Sequence, residues 1–552
     1  MKCNYKRVPL LKIYFGCVAT LVIVFSTGCT KFLEETPTGS MTNQTTFTTA
    51  QDGAALTIGP YRSLPGWVGG AGDWGNYLPA VMEYPTGKAF TTTTHVQFWK
   101  FQTNQVSGDL LDDYNNSWNN WYQGVRDCNF SISKISEIAG MSPDEKSRSL
   151  GEVRTLRAWY YFCLVRYFGD VVMDTTTLTN LSEAQKPRTS LKTIYDNIII
   201  PDLEFAVHNS SLTDAKSGNG RVTKLIARAI LSDVYLTCAG YPYQEVATDP
   251  ARNWCVGGLF SQQEYPVNTT GARAFLKKAQ EQLNALYGRY TLGTYADLRS
   301  PEMNNKGEAI FQAQFLAGVT DNQVVAASLP SLSRISMFGD EYGTFIPSLG
   351  YYNSYNPADK RIQDRQMFYS SDTKSKKYDP SEGPADKFAR PYLFKFYDSA
   401  AIKVTGRSSL NWSFYRYADI LLMLTEVNWT LRQLGDAATD DDIIKGINEV
   451  RARAGLPTYR ASNVNLLTIM SERAYELVFE NKMLWDQRRT RMCLVDGIGQ
   501  FSAIERFIGH RPQGFSFAFG VQNLLSPIAG REIINNSKVL QNFSFLPKQV
   551  GQ

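Results

Sequence analysis

Three helical patterns close to the C-terminus constrain this chain most. Tyr417, Ile420, Leu421, Leu424, Asn428 and Leu431 recur at three- and four-residue steps, the spacing that gathers side chains on one face of a helix. Gly435 ends that helix, and a second opens at the Asp440-Asp-Asp442 cluster, whose carboxylates complement a positive helix start. It carries Ile443, Ile447, Val450 and Ala454 and stops at Gly455-Leu-Pro457. A third pattern runs from Glu472-Arg-Ala-Tyr-Glu-Leu-Val-Phe-Glu480 into Leu484-Trp-Asp-Gln-Arg-Arg489. Hairpins of this kind bury their apolar stripes only by stacking on other helices, so the fold is built from stacked pairs.

The same periodicity predicts eight helices, over 118–138, 152–168, 191–208, 221–239, 273–287, 414–434, 441–454 and 466–488. In the second of these, Val153, Leu156, Tyr160, Cys163, Leu164 and Tyr167 form the stripe and Gly169-Asp170 closes it. The scaffold therefore occupies about 118–290 and 414–490. Outside it lie two stretches without a lasting helical period, about 66–105 ahead of its first part and about 317–403 between its two parts, both rich in Gly, Pro, Asn, Thr and aromatic residues. Structureless loops of that length are uncommon in a compact domain unless they are functional or disordered. Disordered segments are poor in aromatics, so ordered loops with some short strands are expected.

The N-terminus reads as an export signal. Lys2, Lys6, Arg7 and Lys12 precede an apolar run over 13–25, and Ser26-Thr-Gly-Cys29 follows. The run is too short to span a bilayer, which needs about 20 apolar residues. Small residues ahead of a cysteine resemble a lipoprotein cleavage site, with Cys29 as the acylated first residue and 1–28 as the signal peptide. Acyl chains anchor by hydrophobic burial. Removing the leader takes away four basic residues and no acidic ones, so 57 Lys and Arg against 52 Asp and Glu become 53 against 52. A nearly neutral chain lacks the clustered cations that nucleic-acid binding requires.

Five cysteines remain besides Cys29, an odd number without regular spacing, which argues against a disulfide framework. Cys128, Cys163 and Cys238 fall inside helical patterns, where cysteine acts as a small apolar side chain. His95, His208 and His510 have no second histidine or cysteine at metal-ligand spacing. No phosphate cradle or nucleophile elbow is present, so neither catalytic residues nor a cofactor or metal are expected. Glu472, Glu476 and Glu480 stand four apart, which invites comparison with paired glycosidase carboxylates. Like charges at that spacing repel, and Arg473, Lys482, Arg488 and Arg489 lie close enough in sequence to compensate them, so a structural network is expected.

The three C-terminal patterns resemble those of the SusD/RagB family, helical lipoproteins that capture nutrients on the outer membrane of Bacteroidetes-type bacteria. The upstream stretches 152–170 and 220–236, and Gln541-Asn542, match the same family in the same order. The resemblance implies a mainly α fold, with four tetratricopeptide-like helix pairs forming a scaffold for aromatic-rich loops and a few short strands, as one domain over 29–552. It also implies lipid anchoring in the outer membrane facing the exterior, and a SusC-type TonB-dependent transporter as partner. In the family, ligand-contacting aromatics come from loops in these two parts of the chain. Sugar rings offer a C–H face for a flat aromatic and hydroxyls for neighbouring polar groups. The candidate glycan-binding residues are accordingly Asp73, Trp74, Tyr77 and Trp99 in one loop and Phe338, Tyr342, Tyr351 and Tyr352 in the other. Around them stand Trp67, Tyr84, Phe98, Asp340, Glu341, Phe345 and Tyr355. Two alternatives stay open at this level: a peptide-binding member of the same fold, and an exported helical enzyme that degrades glycans.

Overall fold

The computed structural model describes residues 47–67, 78–91, 98–107, 112–177, 183, 185–246, 263–328, 346–369, 391–398, 401 and 407–542. From Thr48 onward the chain forms one compact unit. The predicted leader and Cys29 lie outside the described residues.

Nine helical segments make the scaffold: α1 (Asp112–Ile135), α2 (Pro143–Phe168), α3 (191–209), α4 (Lys224–Cys238), α5 (Thr270–Leu286), α6 (Tyr417–Gln433), α7 (Asp440–Arg453), α8 (Leu466–Glu476) and α9 (Met483–Thr490). Within α3, two π-helical turns, Tyr195–Ile199 and Phe205–Asn209, flank the α-helical Ile200–Glu204. Neighbours in sequence are neighbours in space: α1 packs on α2, α2 on α3, α4 on α5, α5 on α6 and α6 on α7. This is the stacked-hairpin arrangement that the stripes predict.

Local chemistry sets the ends. Helix α2 begins nine residues before its predicted start, because Ser142 and Glu145 close a capping box and Pro143 sits where a missing N–H costs nothing. Its first turns are solvated and so carry no apolar period, whereas everything from Ala158 to Phe168 is buried. Thr439 and Asp442 cap α7 in the same way. The α6–α7 crossing is close enough that a Cβ on Gly446 would stand 2.2 Å from the Leu421 carbonyl oxygen. Across it, the Ile447 N–H donates to Thr425 Oγ1 at 3.0 Å.

Eight short strands occur among the described residues: β1 (Ala89–Phe90), β2 (Ala309–Ala313), β3 (Ile346–Pro347), β4 (Phe368–Tyr369), β5 (Tyr392–Leu393), β6 (Trp412–Arg416), β7 (Met492–Val495) and β8 (Ala503–Arg506). They pair two by two, all antiparallel: β1 with β3, β2 with β6, β4 with β5 and β7 with β8. Strand β6 takes the first residues of the predicted 414–434 helix, since pairing with β2 holds Trp412–Arg416 extended until Tyr417.

The predicted helix 466–488 is two helices. Between α8 and α9 the backbone turns through Phe479 (φ 55) and Asn481 (φ 60). The carbonyls that would have continued the helix are taken by buried cations instead. Arg416 Nη2 donates to the Glu476 carbonyl at 2.6 Å, and Lys395 Nζ to the Val478 carbonyl at 3.2 Å.

The three glutamates form a structural network, as expected, but with other partners. Glu472 pairs with Arg361 at 2.7 Å and Arg451 at 3.0 Å. Glu476 meets Arg361, Arg416 and Arg453, and Glu480 meets Arg416 and Lys395. Arg473 and Lys482 turn to Asp419, and Arg489 to Glu426. Breaking the helix at residue 477 explains the exchange for Arg489, which α9 carries away from the glutamate face, while Arg473, one residue after Glu472 on α8, projects about 100° round that helix and meets Asp419 and Asp486. Burial would raise the Glu476 carboxyl, but Arg453, Arg416 and Arg361 together hold it down to about 2.

Candidate ligand-binding site

The two aromatic loops, far apart in sequence, meet at one strand pair. Phe90 stands opposite Ile346 and Ala89 opposite Pro347, and the Ser348 N–H donates to the Lys88 carbonyl at 2.8 Å. Ser348 then caps a short helix, Leu349–Asn353, accepting from the Tyr351 N–H. Underneath, Ile346 belongs to a buried cluster with Val325, Tyr392, Phe394, Tyr397 and Leu410, against which Phe90 packs. A sheet of two residues per strand has no stability of its own, so this floor is what fixes the juncture.

The first loop is also fastened to the C-terminal part of the chain. Asn481 donates through its backbone N–H at 2.8 Å and its amide at 3.0 Å to Glu83, and through that amide to the Pro79 carbonyl at 2.7 Å. Burial raises the Glu83 carboxyl to about 7 despite those bonds. Lys88, 2% exposed, donates to Asp496 Oδ1 at 2.7 Å and to the Leu494 carbonyl at 2.8 Å. A left-handed residue that favours asparagine and a buried lysine thus hold the first loop in register.

Of the candidate residues that the structure describes, Trp99 is the most exposed. It sits on the short helix Phe98–Gln102 and is 49% exposed, with Lys100 Nζ 5.6 Å from its ring centroid. Its neighbours Phe98 and Phe101 anchor that helix by packing on the buried Tyr84 at 5.1 and 5.8 Å. The far end is tied by the Ser516 N–H, which donates to the Gln102 carbonyl at 3.1 Å. Tyr352 is half-buried, its ring edge-on to Phe368 at 5.4 Å.

Tyr351 requires a correction. It is 1% exposed, donates its hydroxyl to the Ala474 carbonyl at 2.6 Å, and stacks on Phe501. Helix periodicity gives the reason: residues 349 and 352 lie on one side of their short helix, which turns 351 onto α8. Tyr84, Phe98 and Tyr355 are likewise core residues. Asp73, Trp74, Tyr77, Phe338 and Tyr342, with Asp340, Glu341 and Phe345, lie outside the described residues.

Two apolar side chains at this juncture escaped the sequence reading. Leu349 is 44% exposed, and Ile498 is 95% exposed on the β7–β8 loop. That loop is bonded to the Leu349–Asn353 helix where the Gly499 N–H donates to the Asn353 carbonyl at 2.8 Å. An isoleucine between Gly497 and Gly499 is the signal that could have marked it. Exposed rings and aliphatic groups on a fixed support bind by shape and desolvation. Among the described carboxylates of this region, Glu83 and Asp496 are engaged by Asn481 and Lys88.

Comparison with known proteins agrees with the architecture. A family model described as "SusD family" matches residues 341–545, and another described as "Starch-binding associating with outer membrane" matches residues 31–236. The chain is 24% identical over 550 residues to SusD-like protein P2 of Formosa agariphila, covering 95% of this chain and 98% of that protein. A solved SusD superfamily protein from Parabacteroides distasonis is 32% identical, with a TM-score of 0.77 over 90% of this chain and 99% of its own. A laminarin binding SusD-like protein, 19% identical, shares the fold at a TM-score of 0.66, over 90% of this chain and 99% of its own.

Proposed function

The chain belongs to the SusD family, and on that premise we propose that it is a surface-exposed outer-membrane lipoprotein that captures glycans without altering them. It hands them to a SusC-type TonB-dependent transporter. The observation that carries this reading is the convergence of two aromatic loops at the β1–β3 juncture, with Trp99 and Leu349 exposed on a support that the scaffold holds rigid. The laminarin-binding relative and the outer-membrane wording of the matched family model support a carbohydrate ligand and that location.

Function then follows in steps from the chain. Acylated Cys29 tethers the protein, the stacked helices give a stiff body, and the two loops present ring faces to the sugar. Affinity comes from apolar contact and released water, with hydroxyls satisfied by polar groups nearby. The test combines retention and integrity. Purified protein is run through gels containing laminarin, xyloglucan or starch, and the same fluorescently labelled glycans are sized after incubation. Retarded migration with unchanged chain length is the expected result. Shortened glycans would establish an enzyme, and retention only by peptides would move the protein to the peptide-binding branch.

A further inference from the structure

Seven arginines are buried among the described residues, and six of them face a carboxylate. Arg166 meets Asp233, Arg361 meets Asp359, Arg416 meets Glu480, Arg473 meets Asp486, Arg489 meets Glu426 and Arg491 meets Glu245. Arg488, 6% exposed, has no such partner. Its Nη1 lies 3.4 Å from the Arg166 carbonyl, its Nη2 lies 3.5 Å from both the Asn523 carbonyl and Ser526 Oγ, and its Nε has no hydrogen-bond partner. These contacts are long beside a normal N–H···O separation of about 2.9 Å. The rings of Tyr167 and Trp485 stand 5.8 and 5.9 Å from the guanidinium carbon and supply part of the missing negative charge. Burial pushes this guanidinium down to about 10, the reverse of what a neighbouring carboxylate does to Arg473 or Arg489. A cation kept out of water without a counter-charge is costly, and an incoming anion relieves that cost.

Arg488 forms part of the wall of a shallow cleft open to solvent. Phe101, Tyr114, Phe515 and Phe519, each buried except where it lines the cleft, supply ring surface, and Asn104 and Gln522 supply amides. Phe101 belongs to the same short helix as Trp99. Two positions along a helix turn a side chain roughly to the opposite side, so one helix offers a ring to the exposed shelf and a ring to this cleft. We propose that the cleft is a carboxylate subsite that takes an acidic sugar ring, with the ring's C–H face on the aromatics and its carboxylate on Arg488. This rests on the glycan-binding reading and narrows it to oligosaccharides bearing uronic acids. A planar carboxylate suits a guanidinium edge that still has an unused N–H, since the two can pair by parallel bonds. The amides of Asn104 and Gln522 are placed for ring hydroxyls.

Calorimetric titration of the full mature chain tests it, using short oligogalacturonates, the same oligosaccharides with carboxyls reduced to alcohols, laminarin oligosaccharides and a glutamate-rich peptide. The acid form is expected to bind roughly tenfold or more tighter than the reduced form, the difference a charge-assisted bond supplies. Arg488→Gln should bring acid binding down to the level of the reduced form. Gln522→Glu, at the half-buried edge of the cleft, puts a carboxylate into the cleft and should lower the affinity of the acid form more than that of the reduced form, shrinking the ratio between them. Because wild-type protein already compares acid with reduced ligand, the test survives if R488Q does not fold. Equal binding of acid and reduced oligosaccharides, or of laminarin alone, overturns the subsite and leaves the glycan reading standing. Binding of no oligosaccharide overturns both. An Arg488-dependent preference for the peptide overturns the sugar assignment of the cleft.

Discussion

Replacing Glu83 with glutamine asks whether the clamp under the ligand-side loop is held by a neutral acid. Glu83 is 3% exposed and accepts two hydrogen bonds from Asn481 through Oε1, both of which a glutamine carbonyl can accept. Burial raises the carboxyl from 4.5 to about 7. An acid whose folded value lies above its unfolded value takes up a proton on folding between the two, so its contribution to stability falls as pH rises from about 4.5 to about 7 and is level beyond. At about 1.4 kcal/mol per pH unit, the ionised side chain costs roughly 3 kcal/mol at pH 8. Urea denaturation followed by tryptophan fluorescence should therefore find E83Q more stable than the parent by about 2–3 kcal/mol at pH 8. At pH 5 the advantage should shrink to under about 1 kcal/mol. An advantage of the same size at both pH values, or a less stable E83Q at pH 8, would refute the reasoning.

Three further substitutions separate binding from support. Trp99→Ala removes an exposed ring and should weaken binding of a retained glycan by roughly tenfold, the scale of an interface hot spot, with the unfolding midpoint unchanged. Tyr351→Phe leaves the Ala474 carbonyl without its partner and should cost about 1–3 kcal/mol of stability with affinity preserved, measured by denaturation and titration on one sample. Gly446→Ala forces a methyl against the Leu421 carbonyl and should cost about 1–3 kcal/mol, read as a lowered thermal midpoint without loss of the helical circular-dichroism signal.

The scaffold was legible because its helices obey periods that a sequence displays. Tyr417, Ile420, Leu421, Leu424, Asn428 and Leu431, and Ile443, Ile447, Val450 and Ala454, are buried as the stripes require. What failed was local competition. The Trp412–Arg416 strand looked like the start of a helix because its alternation is only five residues long. The break after Glu476 was hidden because Arg416 and Lys395, distant in sequence, take the helix's last carbonyls. The site was half legible. Aromatic enrichment marked both loops, but two-residue strands carry no pattern from which the pairing of residue 90 with residue 346 could be read. Nor does an aromatic announce its side: Trp99 is exposed and Tyr351 buried, and only the packing of their short helices decides. Arg488 was expected to compensate the glutamates, but it is enclosed and faces none of them, since their partners Arg361, Arg416, Arg451 and Arg453 come from distant parts of the chain.

The account's central claim is that ligand lands on the juncture of the two loops and is left intact. Hydrogen-exchange mass spectrometry of the full mature chain, with and without a glycan that it retains, measures this directly. The prediction is slowed exchange in peptides covering 98–107 and 346–353, with α4 and α5 unchanged and the glycan recovered at its original length. Protection confined to the stacked helices, with none at those two segments, would contradict it.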